Sequence, residues 1–167
     1  MTLDFGAIRT AADLLAITRV MEERSAERFL ELAEAFDMSC NADAADAFRE
    51  LAAMEDRHAA EFPAVDGLVP KVLPWGEEDP EIADPGAVHY LMHAWHAFDL
   101  ALRHEEKALG FFEMISVQTS IPEVRAEALT LAERERGHVA FIKSRLAELP
   151  VPPEDWEDDP DPPNWDM

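Results

Sequence analysis

The chain has 167 residues, of which 36 are acidic and 14 basic, so its formal net charge is −22 at pH 7. With 48% hydrophobic residues it is too apolar to be wholly disordered and long enough for one domain with a core, while its negative charge disfavours nucleic acid and anionic membranes as partners. The single cysteine, Cys40, excludes an intrachain disulfide, a four-cysteine metal site and a Cys-x-x-Cys redox pair.

The sequence shows neither a secretory leader nor a membrane span. Asp4, Arg9 and Asp13 interrupt the stretch where a signal peptide needs continuous apolar residues. No apolar run approaches the length of about 18 residues that a membrane span requires. We therefore expect a soluble, cytoplasmic, single-domain protein.

Prolines divide the chain, and the stretches between them are rich in Ala, Leu, Glu and Arg, which favour helices. Apolar residues at spacings of three and four predict a first helix over residues 10–36. A short turn at 37–41 leads into a second predicted helix over 42–62. Residues 63–85 form a long acidic connection rich in proline.

Two further helices are predicted after this connection. Asp84 and Pro85 are typical of an N-cap followed by a first-turn proline, so a third helix is expected over residues 86–117. Ser120 and Glu123 have the spacing of a capping box. They indicate the start of a fourth helix over residues 123–149.

The segment 150–167 is acidic, contains no basic residue and carries two tryptophans. We expect Trp156 or Trp165 to hold it as a strap against the helices, with docking of a partner protein as the alternative. The predicted domain organisation is thus a helical domain over 1–149 and an acidic, Pro- and Trp-containing tail over 150–167.

Four long helices joined by a short, a long and a short connection predict an all-α fold, a four-helix bundle with one crossover between helices 2 and 3. A helix of about 24 residues is about 36 Å long, and about 11 extended residues span that distance. The connection over 63–85 is long enough for this.

Charged residues interrupt the apolar faces at corresponding places in all four predicted helices. A carboxylate in a bundle core is costly unless it is paired or bound to metal. The Glu-x-x-His spacing, found in helices 2 and 4, places both side chains on one helix face, one turn apart. The interrupting residues are Glu22, Glu55, His58, Glu105, Glu135 and His138.

The positions of these residues agree with two antiparallel hairpins. Glu22 and Glu55 are equidistant from the first turn, and Glu105 and Glu135 are equidistant from the turn between helices 3 and 4. Each hairpin therefore places two glutamates and one histidine at one level. Two such hairpins related by a pseudo-twofold axis would bring four carboxylates and two imidazoles together, which suits iron or manganese more than structural zinc.

Two neighbouring glutamates are distinguished from this set by helical phase. Glu23 and Glu106 each follow a candidate ligand directly. They lie about 100° away around the helix, so we expect them to be solvated or to form a second layer.

This pattern resembles the ferritin-like di-iron carboxylate superfamily, and most closely its rubrerythrin and bacterioferritin branch, over residues 10–149. The resemblance implies a four-helix bundle around two iron ions, with manganese or zinc as substitutes. Glu22 and Glu105 match the single glutamates of the family's first and third helices. The pairs Glu55 with His58 and Glu135 with His138 match its two Glu-x-x-His motifs.

The chain also departs from that family. It has no four-cysteine rubredoxin domain, so the resemblance implies a separate, rubredoxin- or flavoprotein-like electron donor. Ala108 stands one turn after Glu105, where rubrerythrins carry an additional glutamate. Phe29 and Phe112 stand where a tyrosine is common, so a radical role there is absent. No fifth helix follows, so a ferritin cage is not expected.

The resemblance implies a rubrerythrin-like homodimer that reduces hydrogen peroxide or dioxygen. Three alternatives stay open. The first is a ferroxidase that stores or delivers iron. The second is a di-iron monooxygenase, which would need a substrate cavity beside the site. The third is a non-enzymatic metal-binding bundle.

The remaining candidate residues favour a structural interpretation. His89, His93 and His96 lie about 120–180° around the helix from Glu105, so surface or dimer-interface packing is preferred to a second metal site. Cys40 falls in a turn with no base placed beside it, so an incidental thiol is preferred to a nucleophile.

Overall fold

The computed structural model describes residues 8–63 and 88–158. Within these ranges it contains four helices and no strand, which confirms the predicted four-helix bundle. The helices are α1 (Ala11–Met38), α2 (Ala42–Ala60), α3 (Ala94–Gln118) and α4 (Pro122–Glu148).

The first hairpin is built from local capping interactions. At the start of α1 the Thr10 hydroxyl accepts a hydrogen bond from the Asp13 backbone N–H at 3.1 Å, and the Asp13 carboxylate accepts one from the Thr10 N–H at 2.8 Å. Asn41 caps α2 by accepting from the Ala44 N–H at 3.2 Å. Between the helices Cys40 adopts a left-handed conformation with φ of 56°, which reverses the chain.

The predicted start of α3 is wrong by eight residues. Residues 88–93 are not helical, and α3 begins at Ala94 rather than at 86. The Ala94 N–H donates to the Asp43 carboxylate at 2.8 Å, and the Asn41 amide donates to the Met92 carbonyl at 2.7 Å. The start of α2 therefore sets the start of α3. The proposed cap at Asp84 lies outside the described residues.

The start of α4 also differs in detail from the prediction. Pro122 is the first helical residue, and Ile121 is an N-cap without a side-chain hydrogen bond, so the predicted capping box of Ser120 and Glu123 is not formed. The Arg125 side chain instead donates to the last carbonyls of α3. This contact closes the second hairpin.

Side-chain contacts establish the helix directions. The N-terminal ends of α2 and α3 meet through Asp43, so these helices run parallel. Arg145, near the end of α4, pairs with Glu50 in the middle of α2 at 3.0 Å, while Arg134, in the middle of α4, pairs with Glu61 just after the end of α2 at 3.1 Å. Thus α4 is antiparallel to α2. The end of α2 and the start of α3 therefore lie at opposite ends of the bundle, in agreement with the predicted crossover between helices 2 and 3.

The apolar core consists of two clusters, one towards each end of the bundle. The level between them is occupied by four buried glutamates, one from each helix. The core thus surrounds a polar layer at mid-bundle. Large side chains of the first cluster are Phe29, Phe48 and Phe98, and those of the second are Met21, Phe112 and Leu131.

The described part of the tail packs against the beginning of α3. The Trp156 ring lies 3.9 Å from the His96 ring, between centroids, and meets the His89 ring edge-on at 5.7 Å. Trp156 therefore makes the predicted anchoring contact, while Trp165 lies outside the described residues. The division of the chain at residue 149 stays a prediction. Within 8–63 and 88–158, no helix combines the length and apolarity of a membrane-crossing segment.

Candidate metal centre

All six residues singled out in the sequence meet at the level between the two core clusters. Each helix contributes one glutamate, and α2 and α4 each add a histidine one turn further on. The side chains form two groups, in each of which the potential ligand atoms lie within 4.8 Å of one another. The groups are Glu22, Glu55 and His58, and Glu105, Glu135 and His138.

The two groups have nearly the same geometry. In the first, His58 Nδ1 lies 3.3 Å from Glu55 Oε2 and 3.6 Å from Glu22 Oε2. In the second, His138 Nδ1 lies 3.1 Å from Glu135 Oε2 and 3.3 Å from Glu105 Oε2. Each group can therefore offer two carboxylates and one imidazole nitrogen to one metal ion.

The two histidines join the groups into one centre. The rings of His58 and His138 are stacked with centroids 3.8 Å apart and an interplanar angle of 3°. Their Nδ1 atoms both contact carboxylate oxygens. Two metal ions held in these groups would be neighbours, related by the pseudo-twofold symmetry that the sequence indicates.

The carboxylates are too buried to be explained as solvated surface charge. Glu22 and Glu135 are 1% exposed, Glu55 is 4% and Glu105 is 5% exposed. Within the described part of the chain, Glu22 Oε1 and Glu105 Oε1 have no hydrogen-bond partner. A buried, unpartnered carboxylate oxygen is costly, so this donor set fits bound cations.

The electrostatics of the second group show how protons are held without metal. Burial raises the pKa of the Glu105 carboxyl to about 8. Burial acts to lower the pKa of His138, but hydrogen bonds to Glu105 and Glu135 outweigh it and raise that pKa to about 10. At neutral pH and without metal, both the His138 imidazole and the Glu105 carboxyl therefore hold a proton.

The first group differs in its charge state. Burial acts to raise the pKa of Glu22, but hydrogen bonds with His58 and Glu55 outweigh this effect and lower it. Glu22 therefore stays ionised at neutral pH. Metal binding at either group must compete with these internal hydrogen bonds.

The three positions at which the chain departs from the family pattern are all apolar and buried. Ala108, one turn after Glu105, is fully buried. Phe29 and Phe112 are buried in the two core clusters. They close the apolar walls above and below the centre, and neither carries a hydroxyl.

The neighbouring acids point to the surface, as helical phase predicts. Glu23 pairs with Arg19 at 2.7 Å, and Glu106 pairs with Lys143 at 3.0 Å. Both carboxylates are about half exposed. They contribute to the charge around the bundle and not to the donor set.

His104 is a buried polar residue that the sequence analysis did not single out. It is 4% exposed, its Nδ1 atom has no partner among the described residues, and its ring stacks on Phe29 at 5.8 Å. Burial, with the nearby cations of Lys107, Arg103 and Arg28, lowers its pKa to about 4. Only its position on an inward helical face could have indicated this burial.

A cavity of about 200 Å³ lies against the histidine pair, between α2 and α4. It is lined by Met54, Arg57, His58, His138 and Phe141. A metal-binding histidine commonly donates its second ring N–H to a carboxylate, a backbone carbonyl or water. Within the described ranges neither His58 nor His138 has a protein acceptor for this second nitrogen, and both rings line the cavity.

The other histidines do not form a metal site within 8–63 and 88–158. No group there contains three potential ligands besides the two above. His96 packs against Trp156, and its Nδ1 atom accepts from the His93 N–H at 3.0 Å. The cluster therefore packs the tail onto α3. Cys40 is exposed in its turn.

The chain is similar in structure to an uncharacterized conserved protein from Magnetospirillum magnetotacticum MS-1, known from a crystal structure. The two chains share 25% sequence identity with a TM-score of 0.58, and the likeness covers 87% of this chain and 99% of the other. No protein-family model matches the chain. No curated protein matches it either.

Proposed function

We propose that this chain is a non-haem di-iron protein of the ferritin-like, rubrerythrin-like type that reduces hydrogen peroxide or dioxygen with external electrons. The observation that carries the proposal is the pair of Glu, Glu, His groups joined by the stacked rings of His58 and His138. Four helices converge on this arrangement, and the apolar core surrounds it.

The donor chemistry favours iron. Each group offers carboxylate oxygens and one imidazole nitrogen, whereas closed structural zinc sites are typically built from cysteine and histidine. Manganese or zinc would fit the same groups as substitutes. When bound, two irons would supply two-electron redox chemistry at neighbouring positions.

The chain's own residues would orient these ions and balance their positive charge. The four carboxylates compensate two divalent cations, so a loaded centre is close to neutral within the core. The His138 Nδ1 atom, which holds a proton between Glu105 and Glu135 without metal, releases it when it becomes a ligand. The phenylalanines of the flanking clusters exclude water from the carboxylate side.

Electrons for this reaction must come from elsewhere. The chain has one cysteine, so it cannot hold iron on four cysteines as a rubredoxin does. We propose a separate rubredoxin- or flavoprotein-like donor and a homodimeric assembly. Light scattering of the purified protein tests the assembly, and a monomer at micromolar concentration would contradict it.

Anaerobic titration with ferrous iron tests the metal centre. The metal-free protein should saturate near two irons per chain. Glu55→Ala and His138→Ala should each reduce the loading, because each removes a ligand from one group. Glu23→Ala is the matched control and should load normally. Saturation far from two irons, or normal loading of both ligand variants, would overturn the proposal.

Rapid mixing of the di-ferrous protein with peroxide or with oxygen tests the reaction. The proposal expects fast oxidation by at least one of them, followed by reduction when the donor is supplied. Normal loading without oxidation by either would indicate a non-enzymatic metal-binding bundle.

A second candidate function is iron oxidation for storage or delivery. The net charge of −22 favours it, because a strongly negative surface concentrates cations. Accumulation of many irons per chain, in an assembly far larger than a dimer, would favour this function over peroxide reduction.

A further inference from the structure

The cavity against the histidine pair is the side from which the centre reaches solvent. The His58 and His138 side chains are each 14% exposed, whereas the side chains of the glutamates in contact with them are 1–6% exposed. A small molecule that approaches the centre therefore meets the imidazoles first. The cavity of about 200 Å³ lies at this point.

The cavity wall carries an uncompensated positive charge. Arg57 lines it and makes no ion pair with any residue in 8–63 or 88–158. This is unusual in an acidic chain whose other arginines are mostly paired, as Arg134 is with Glu61 and Arg145 with Glu50. Among the described residues, no carboxylate lines the cavity.

The rest of the wall is apolar. Met54 is buried and Phe141, across the cavity on α4, is 48% exposed. A half-exposed phenylalanine beside an unpaired arginine suits an amphipathic ligand. Water occupies about 30 Å³ per molecule in the liquid, so the cavity has room for a small organic molecule as well as for peroxide.

We propose that this cavity binds a small organic monoanion, such as a carboxylate, with the anionic group on Arg57 and the apolar body between Met54 and Phe141. Arg57 is then a specificity-determining residue that admits anions beside the histidine pair and disfavours cations. The bound molecule's role as a substrate rests on the proposed function, but the binding site itself does not. An organic substrate would favour the monooxygenase alternative.

The test uses benzoate as the probe and the metal-free full-length protein, so that the probe cannot ligate a metal. Histidine ring resonances of His58 and His138 are followed by NMR during titration with benzoate, benzamide and benzylammonium. We expect benzoate to shift these resonances saturably, with benzamide weaker and benzylammonium without effect.

Arg57→Gln should weaken benzoate binding by about fivefold or more, since it removes a charge-assisted contact. Arg57→Lys, which keeps the positive charge, should retain most of the benzoate affinity. Lys107→Gln, which changes another basic residue without an ion pair in the described ranges, is the matched control and should bind like the unchanged protein.

Benzoate binding unaltered in Arg57→Gln, or benzylammonium binding as tightly as benzoate, would overturn the inference. Absence of any saturable shift would overturn it as well. None of these outcomes changes the number of irons bound per chain, so a failure here is distinguishable from a failure of the metal centre.

Discussion

Two histidines only 34 positions apart in sequence have opposite charge states because their surroundings differ. His138 lies against two carboxylates and is protonated at neutral pH, while His104 lies against a phenyl ring and is neutral. The protonated state of His138 suits a ligand whose proton a metal ion can replace. The neutral state of His104 suits a core residue.

His104 should make the protein acid-sensitive. The unfolded chain binds a proton at this site near pH 6.5, whereas the folded chain binds it only near pH 4, so the unfolded state holds more protons in between. Stability is then lost as the pH falls through this window, by about 2 kcal/mol between pH 7 and pH 5. His104→Phe should remove that loss.

Urea unfolding of the metal-free protein and of His104→Phe at both pH values measures the difference. Equal pH dependence in the two proteins would show that His104 does not carry this effect.

Metal affinity should rise with pH. Because His138 has its pKa raised to about 10, a metal ion must displace its proton at neutral pH. Each displaced proton weakens binding about tenfold per pH unit lowered. Calorimetry in buffers of different ionisation enthalpy, between pH 6.5 and 8, should show release of at least one proton. A pH-independent affinity would contradict this expectation.

Among the helices, α3 depends most on a distant segment. Its first N–H is capped by Asp43, and the turn before it is held by Asn41, whose amide donates to the carbonyls of Tyr90 and Met92. Asn41 thus caps its own helix and orders the approach to another. Both helices begin at the same end of the bundle because of these contacts.

Asn41→Ala should therefore lower the free energy of unfolding by more than the loss of an N-cap alone. An N-cap contributes about 1 kcal/mol, and the two additional hydrogen bonds about 1 kcal/mol each, so the variant should lose about 2–3 kcal/mol. Thr10→Ala, which removes the cap of α1 only, is the control and should lose about 1 kcal/mol. Equal losses in urea unfolding would show that Asn41 does not support α3.

In the whole bundle, the candidate metal centre is a part of the core that the described residues do not complete by themselves. Four buried glutamates occupy the layer between two apolar clusters, and two of their oxygens have no partner in the described ranges. Bound metal ions would supply the missing interactions, so the proposed function implies that folding and metal loading are linked.

Removal of metal should destabilise the whole molecule. Ions at 100 to 1,000 times their Kd stabilise the folded state by about 3–4 kcal/mol per site, so chelation should lower the melting temperature by many degrees. His138→Ala, which lacks one ligand, should show a smaller difference between loaded and chelated samples. An unchanged melting temperature on chelation would contradict the linkage.

The regular parts of this structure follow from patterns in the chain. Apolar residues at helical spacing, interrupted at Glu22 and Glu105 and by the two Glu-x-x-His pairs, were enough to predict the bundle and the residues that meet at its centre. Helical periodicity is a local property, and a tight turn sets the level of residues equidistant from it. The burial of His104 was not predicted, because it depends on contact with Phe29 of another helix.

The starts of α3 and α4, the stacking of His58 on His138 and the cavity beside Arg57 depended on the folded structure. Asp84 and Ser120 resemble caps in sequence, but α3 begins at Ala94, whose N–H donates to Asp43 of α2. The start of α4 has no side-chain cap, and Arg125 of α4 donates to carbonyls at the end of α3. Contacts between residues far apart in the chain leave no periodic signal. The identity of the six inward residues was therefore readable from the chain, whereas the face through which they reach solvent was established by packing.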